Sequence, residues 1–220
     1  MSNKITHITY TNHRMSMSGQ KCQASAKALG YDSIYYKPED IDKSFRDTNN
    51  HILEQSKGAG YWLWKPYIIA YALRNIGGTV IYQDAGTLLT KRLNTKDTLF
   101  FTHRECIHGE WCKMDVITEM GCEEFIYKKQ LNASIMVFKE KDLWFVDKWL
   151  YYCQKDGYID DTPSKIPNIK GFKEHRYDQA ILTNLAYKHD MPIKTGMPAW
   201  FVRHYKRNPG YGKEEGRPEW

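Results

Sequence analysis

Short apolar runs alternate with amphipathic stretches along this chain, and their periods assign most of its elements. Ile5-Thr6-His7-Ile8-Thr9-Tyr10 is rich in strand formers, and Gln20 to Leu29 is helix-prone and closed by Gly30. Ser33 to Tyr36 follows as a second strand. Pro38 to Gln55 is polar, with Ile41, Phe45, Ile52 and Leu53 as apolar contacts, and reads as helix and loop ended by Gly58-Ala59-Gly60. Pro66 suits a first helical turn, and Ile68, Ile69, Ala72, Leu73 and Ile76 recur at helical spacing until Gly77-Gly78 breaks the pattern. Thr79 to Tyr82 is then a β-branched and aromatic run of the kind buried at a sheet centre.

This β-α-β-α-β order predicts an α/β fold with a mainly parallel central sheet flanked by helices. Leu99 to Thr102 and Ala133 to Phe138 read as further strands, with Trp111-Cys112-Lys113-Met114-Asp115 leading into a helix between them. Phe145, Val146, Trp149, Leu150 and Cys153 form a helical stripe, and Gly157 to Gly171 is a loop punctuated by Pro and Gly. A last helix starts near Tyr177 and turns Ile181, Leu182 and Leu185 inward. From Gly210 to Trp220 the chain is polar and reads as a surface tail or the start of a linker.

With 41% apolar and 14% aromatic residues, 220 residues can bury the core of one globular unit. No run approaches the ~20 apolar residues of a membrane span, and Met1-Ser2-Asn3-Lys4 leads into a strand rather than a signal-peptide core. The expectation is a soluble, cytoplasmic protein with no transmembrane segment. Five cysteines, an odd number irregularly spaced, read as reduced thiols. His103, Cys106, His108 and Cys112 lie close together, but their spacing matches no common zinc knuckle and a strand end with a loop is the plainer reading. Thirty-two Lys and Arg against 26 acids give +6, which suits an anionic partner. The one basic cluster, Arg203-His204-Tyr205-Lys206-Arg207, is too short to predict nucleic-acid binding.

In open α/β sheets ligands gather beyond the carboxyl ends of the strands, where Thr79 to Tyr82 delivers Asp84. A carboxylate there could hold a metal over a diphosphate, and the plain alternative is a turn or cap. Lys65, at the start of its helix, could face a phosphate together with the free amides of the first turn, or be a snorkelling surface lysine. Asn132 sits just before a strand, as a hydroxyl-binding amide or a turn residue. Asp178 and Gln179 open the last helix, where Asp178 could also be an ordinary N-cap. His204 ends an apolar run and could complete a metal site or lie on the surface.

Taken in order, these pieces resemble nucleotide-sugar glycosyltransferases of the GT-A fold, in particular the glycogenin and lipopolysaccharide galactosyltransferase-like group. Lys65 with its helix and Ile81-Tyr82-Gln83-Asp84-Ala85-Gly86 look like that group's lysine helix and Tyr-Leu-Asp-Ala-Asp. Leu131 to Val137 looks like its Phe-Asn-Ser-Gly-Val-Met-Val, and Asp178 to Asn184 like its Asp-Gln-Asp-x-Leu-Asn. His204-Tyr205 with Lys213 and Arg217-Pro218-Glu219-Trp220 is loosely similar to its His-Tyr-x-Gly-x-x-Lys-Pro-Trp. A set of bacterial and viral glycosyltransferase-like proteins is closer still, sharing Gly-Tyr-Trp-x-Trp-Lys-Pro (from Gly60), Tyr-x-Asp-Ala-Gly (from Tyr82) and His-Arg-x-Asp-Gln (from His175).

The resemblance implies one GT-A (Rossmann-like) domain over 1–220, with a nucleotide-binding part to about residue 100 and an acceptor-side part to about 210. It implies transfer of a sugar from a nucleotide-diphosphate donor, a UDP-sugar, to a glycan or other hydroxyl acceptor. Asp84 and His204 would be Mn²⁺ or Mg²⁺ ligands, Lys65 would meet the diphosphate, and Tyr10, Thr11 and Asn12 would lie around the base. Asn132, Asp178 and Gln179 would face the donor sugar, with Lys113 and Asp115 as further sugar contacts. Gly86 departs from the usual second aspartate and removes one metal ligand. An inverting reaction would need a carboxylate base, for which Asp178, Asp115, Asp160 and Asp161 are available, whereas a retaining one would not. Two other readings stand beside this one: a non-catalytic nucleotide- or glycan-binding module, and a sugar nucleotidyltransferase. The latter should show a Gly-rich basic loop after the first strand, and Thr11-Asn12-His13-Arg14-Met15 lacks one.

Overall fold

The computed structural model describes residues 4–198 and 201–203. Its strands are β1 (Ile5–Tyr10), β2 (Asp32–Tyr36), β3 (Thr79–Gln83), β4 (Thr87–Leu89), β5 (Leu99–Ile107), β6 (Lys129–Lys139), β7 (Ile193–Lys194) and β8 (Phe201–Arg203). Its helices are α1 (Ser16–Ala28), α2 (Lys43–Thr48), α3 (Asn50–Leu53), α4 (Gly58–Tyr61), α5 (Trp64–Asn75), α6 (Met114–Glu119), α7 (Leu143–Cys153) and α8 (Tyr177–Lys188). Six strands form one sheet in the order β2-β1-β3-β6-β5-β7, to which both halves of the chain contribute. β6 runs antiparallel to β3 and β5, while β2, β1 and β3 are mutually parallel and β7 follows β5. The sheet is therefore mainly parallel with one reversed strand, as the β-α-β order leads one to expect. The reversal of β6 leaves no mark in its apolar pattern, because a fully buried strand reads alike in both directions.

Alternation along the central strands sorts their side chains between two cores. Val80 and Tyr82 of β3, with Met136 and Phe138 of β6, meet Ile68 and Ile69 of α5, Phe145 and Trp149 of α7, and Ile181 of α8. Ile81, Ile135 and Val137 point the other way, toward Ala26, Leu89 and Phe101. Trp149 locks the larger core, since its indole N–H donates to the Asp178 carbonyl at 2.9 Å and joins α7 to the start of α8.

α4 departs from the right-handed rule. Gly58, Ala59, Gly60, Tyr61 and the following Trp62 all have positive φ, between 49° and 94°. Left-handed backbone costs an L-residue about 1–2 kcal/mol, so Ala59, Tyr61 and Trp62 are strained. Glycine is required at the other two positions: a Cβ on Gly60 would sit 2.7 Å from the Leu53 Cα, and one on Gly58 would sit 2.4 Å from the Trp62 ring. Amide bonds from Gly60 to the Gln55 carbonyl and from Tyr61 to that of Lys57, both 2.8 Å, hold the turn.

Several boundaries differ from the sequence reading. α1 begins at Ser16 rather than Gln20, and β5 continues to Ile107. β6 begins at Lys129, so Asn132 lies inside the strand rather than before it. β4 and β8 form a two-stranded sheet that short runs without clear period did not announce. The five cysteines are free thiols, and no group of three possible metal-ligating side chains occurs among the described residues. No helix among them is long and apolar enough to cross a membrane. His204 and the tail from Gly210 lie outside the described residues.

Candidate active site

The carboxyl end of β3 and the first turn of α5 bring opposite charges together. Asp84 keeps its place because its amide donates to the Ser134 carbonyl at 2.8 Å and its own carbonyl accepts the Thr87 hydroxyl at 2.6 Å. Beneath it, His7 Nε2 contacts Gln83 at 2.9 Å and burial pushes the imidazole down to about 4, so the ring is neutral near pH 7. Lys65 is buried, with its ammonium 3.3 Å from Asp84 Oδ1, 3.2 Å from Asp178 Oδ2 and 3.3 Å from the Ala133 carbonyl. The Tyr82 hydroxyl donates to the same Asp84 Oδ1 at 2.5 Å. The Tyr82 and Trp64 rings lie 5.2 and 5.9 Å from the ammonium and add cation–π attraction.

One cation thus faces two carboxylates. Burial pulls the Lys65 pKa down, but Asp178 and Asp84 outweigh it and hold the ammonium above the ordinary lysine range. Burial pushes Asp178 up to about 6, with Lys65 pulling it down and Asp84 pushing it up. Asp178 Oδ2 has its ion pair but no well-directed hydrogen bond, and the buried Gln179 Nε2 has no hydrogen-bond partner. Gln179 Oε1 accepts from the Ala133 amide at 3.2 Å, and Asn132 Oδ1 from the Ser134 amide at 2.8 Å, which fixes both amide side chains. Gln179 Nε2 is thus a buried donor that the oxygen of a ligand hydroxyl would satisfy.

Of the plainer alternatives, the turn holds for Asp84, whose carbonyl accepts the Thr87 amide at 3.1 Å, while those for Lys65, Asp178 and Asn132 do not describe the geometry. Lys65 is buried rather than snorkelling. Asp178 is not the N-cap, that position being held by Arg176, and Asn132 is in a strand rather than a turn.

Beside this cluster, Tyr10 stacks on Trp64 with ring centroids 4.0 Å apart and planes at 21°. The Thr11 hydroxyl bonds that of Tyr35, and Asn12 Oδ1 accepts the Arg14 amide at 3.2 Å. Tyr10, Asn12, Arg14, Arg46, Gln55 and Ala59 line a cavity of about 440 Å³. A wider hollow of about 650 Å³ lies at the amino ends of β1 and β2, against Lys4, Lys27 and Asp32. It shares none of the candidate residues and lies at the wrong end of the sheet for a strand-end site.

Lys113 and Asp115 are engaged elsewhere. The buried Lys113 ammonium donates to the carbonyls of Gly157, Asp160 (3.2 Å) and Thr162 (3.0 Å). Asp115 accepts the amides of Lys165 at 2.7 Å and Ile166 at 2.8 Å. Both pin the 157–171 loop, and neither is brought to Lys65, Asp84 or Asp178.

A second group joins residues that the sequence motifs contain but do not bring together. Tyr61 stacks on Tyr177 at 5.3 Å and Trp62 leans on it at 5.3 Å. Asp161 accepts the Tyr177 and Tyr61 hydroxyls at 2.9 and 3.3 Å and pairs with Lys57 at 3.2 Å. The available signal was Gly58-Ala59-Gly60 directly before an aromatic pair, which marks a turn displaying rings.

No family model matches the chain, and no curated protein matches it. Among solved structures, a glycosyltransferase involved in the glycosylation of the major capsid of PBCV-1 is similar, at 10% identity and TM-score 0.48 over 89% of this chain and 83% of that one. Mouse xyloside xylosyltransferase 1, in its apo form, is similar at 10% identity and TM-score 0.45 over 89% and 85%.

Proposed function

We propose that the protein is a glycosyltransferase of the GT-A type, moving a sugar from a nucleotide-diphosphate donor, a UDP-sugar, to a hydroxyl of a glycan acceptor. One observation carries this: three separate motifs, containing Lys65, Asp84 and Asp178, bring both carboxylates within 3.3 Å of the Lys65 ammonium at the carboxyl edge of a mainly parallel sheet. The cavity beside Tyr10 and Asn12, with Arg14 and Arg46 in its wall, suits an anionic nucleotide.

Each side chain then has work to do. Lys65 neutralises charge that develops on the departing diphosphate, at a position already fixed before the reaction. Asn132 and Gln179 hold the donor sugar through its hydroxyls. Of the four carboxylates available as a base, Asp115 is bound to the loop amides of Lys165 and Ile166, Asp160 contacts Lys113, and Asp161 contacts Tyr61, Tyr177 and Lys57. Asp178 is also paired, but with Lys65 of the proposed donor site and directly before Gln179, and its pKa of about 6 suits taking a proton from the acceptor hydroxyl at neutral pH.

Asp84 fits a divalent cation in one respect: it is the more exposed of the two carboxylates, at 31% against 5%. Mg²⁺ and Mn²⁺ favour carboxylate oxygens, and Mg²⁺ is commonly held by one or two carboxylates together with substrate phosphates, so Asp84 would be the protein ligand despite Gly86. Such an ion, when bound, would polarise the diphosphate and ease its departure.

The test is release of nucleoside diphosphate from a panel of nucleotide sugars, with Mn²⁺ or EDTA. Turnover of one donor class, lost in Asp84→Asn and Lys65→Met, supports the reading. Binding without turnover under every condition would favour the non-catalytic module instead.

A further inference from the structure

The aromatic group around Tyr177 has features that packing alone does not require. Tyr61 and Trp62 adopt left-handed backbone, where glycine would sit without strain, yet both positions carry large rings. Tyr177, on which both stack, is itself at a φ of 43°. Strained residues persist where the surrounding structure holds them, and they gather at ligand clamps and active sites. The group adjoins the proposed centre at two points: Tyr177 precedes Asp178, and the Trp62 carbonyl accepts the Lys65 amide at 2.9 Å.

Its polar members form a rim. Asp161 and Lys57 have side-chain exposures of 52% and 44% and lie 3.2 Å apart. Asp161 also accepts the Tyr61 and Tyr177 hydroxyls, so its carboxylate is oriented while still meeting solvent. Tyr61 and Trp62 are half-buried beside it. A ring platform edged by a fixed carboxylate and an ammonium is chemistry for a ligand with one apolar face and a row of hydroxyls: C–H bonds lie on the aromatic face, and hydroxyls donate to the carboxylate or accept from the ammonium.

We propose that Tyr61 and Trp62, backed by the buried Tyr177 and edged by Asp161 and Lys57, form the acceptor subsite and that the acceptor presents a pyranose ring there. This rests on the transferase reading above and deepens it, since it says which side chains would receive the glycan acceptor and by what contacts. Ala59 of the same turn lines the cavity beside Tyr10, so a single strained turn contributes to both the nucleotide and acceptor sides.

The test is saturation-transfer difference NMR with methyl glycosides of glucose, galactose, mannose and xylose, with and without uridine diphosphate, on the wild type, Tyr61→Asn and Asp161→Asn. Asparagine tolerates left-handed backbone at position 61, and position 161 is half exposed, so thermal unfolding should show both variants folded. The expected result is saturation transfer to at least one methyl pyranoside, reduced several-fold in each variant. Absence of transfer to any of the four, or transfer unchanged in both variants, overturns the subsite. Transfer that depends on Tyr61 and Asp161 in a protein that binds no nucleotide would support the subsite while contradicting the transferase reading.

Discussion

Two lysines are buried among the described residues, and they are held in opposite ways. Lys113 meets the carbonyls of Gly157, Asp160 and Thr162 and one oxygen of the Asp160 carboxylate, so its N–H groups are all engaged inside a loop. Lys65 meets one carbonyl and two carboxylates, leaving an excess of negative charge beside a donor on Gln179 that has no partner. Burial is the same for both. A buried charge that is fully satisfied fixes the structure, whereas one amid unsatisfied polar groups is prepared for a ligand.

The largest effect is expected from Lys65→Met, which leaves two neighbouring carboxylates without their cation. Breaking a buried ion pair in this way costs about 3–5 kcal/mol. Urea unfolding should show that loss, and donor turnover should fall to background.

Asp178→Asn should cut turnover by ~10²–10⁴-fold if the carboxylate is the base. It also has a pH signature. Because the folded pKa is raised from the ordinary 3.8 to about 6, the native state binds this proton more tightly than the unfolded state does. Its contribution therefore makes stability fall as pH rises between those values, by roughly 3 kcal/mol once both states are ionised. Denaturation at pH 4 and pH 7.5 should show the variant gaining on the wild type at the higher pH. Wild-type turnover should decline as pH falls through about 6.

Lys113→Met sharpens the contrast from the other side. Leaving the loop carbonyls unpaired should cost ~1–3 kcal/mol and open the 157–171 segment to limited proteolysis, with nucleotide affinity retained. The smallest effect belongs to Asp115→Ala, which removes the acceptor of the Lys165 and Ile166 amides for ~1 kcal/mol and should leave the donor KM unchanged.

The sheet was legible in the chain because period-2 alternation and β-branched runs follow directly from burial on one or two faces. Lys65, Asp84 and Asp178 were legible for a different reason: each lies where an apolar element begins or ends, so topology had to deliver it to the sheet edge. The loop contacts of Lys113 and Asp115 were not legible, because a lysine and an aspartate near a helix start look the same whether they face a ligand or a loop 50 residues onward. Only the partners at Gly157 to Ile166 distinguish the two. The left-handed turn was half legible, since Gly58 and Gly60 mark it but nothing local reveals that Tyr61 and Trp62 share its handedness.

The most direct test is thermal unfolding of the wild type, Lys65→Met and Lys113→Met against a panel of nucleoside diphosphates. A ligand at 100 times its Kd adds about 2.7 kcal/mol of stability, a readily measured rise in Tm. One nucleotide class should raise Tm in the wild type and in Lys113→Met but not in Lys65→Met. No rise in the wild type, or an equal rise in Lys65→Met, would contradict the assignment of the donor diphosphate to Lys65.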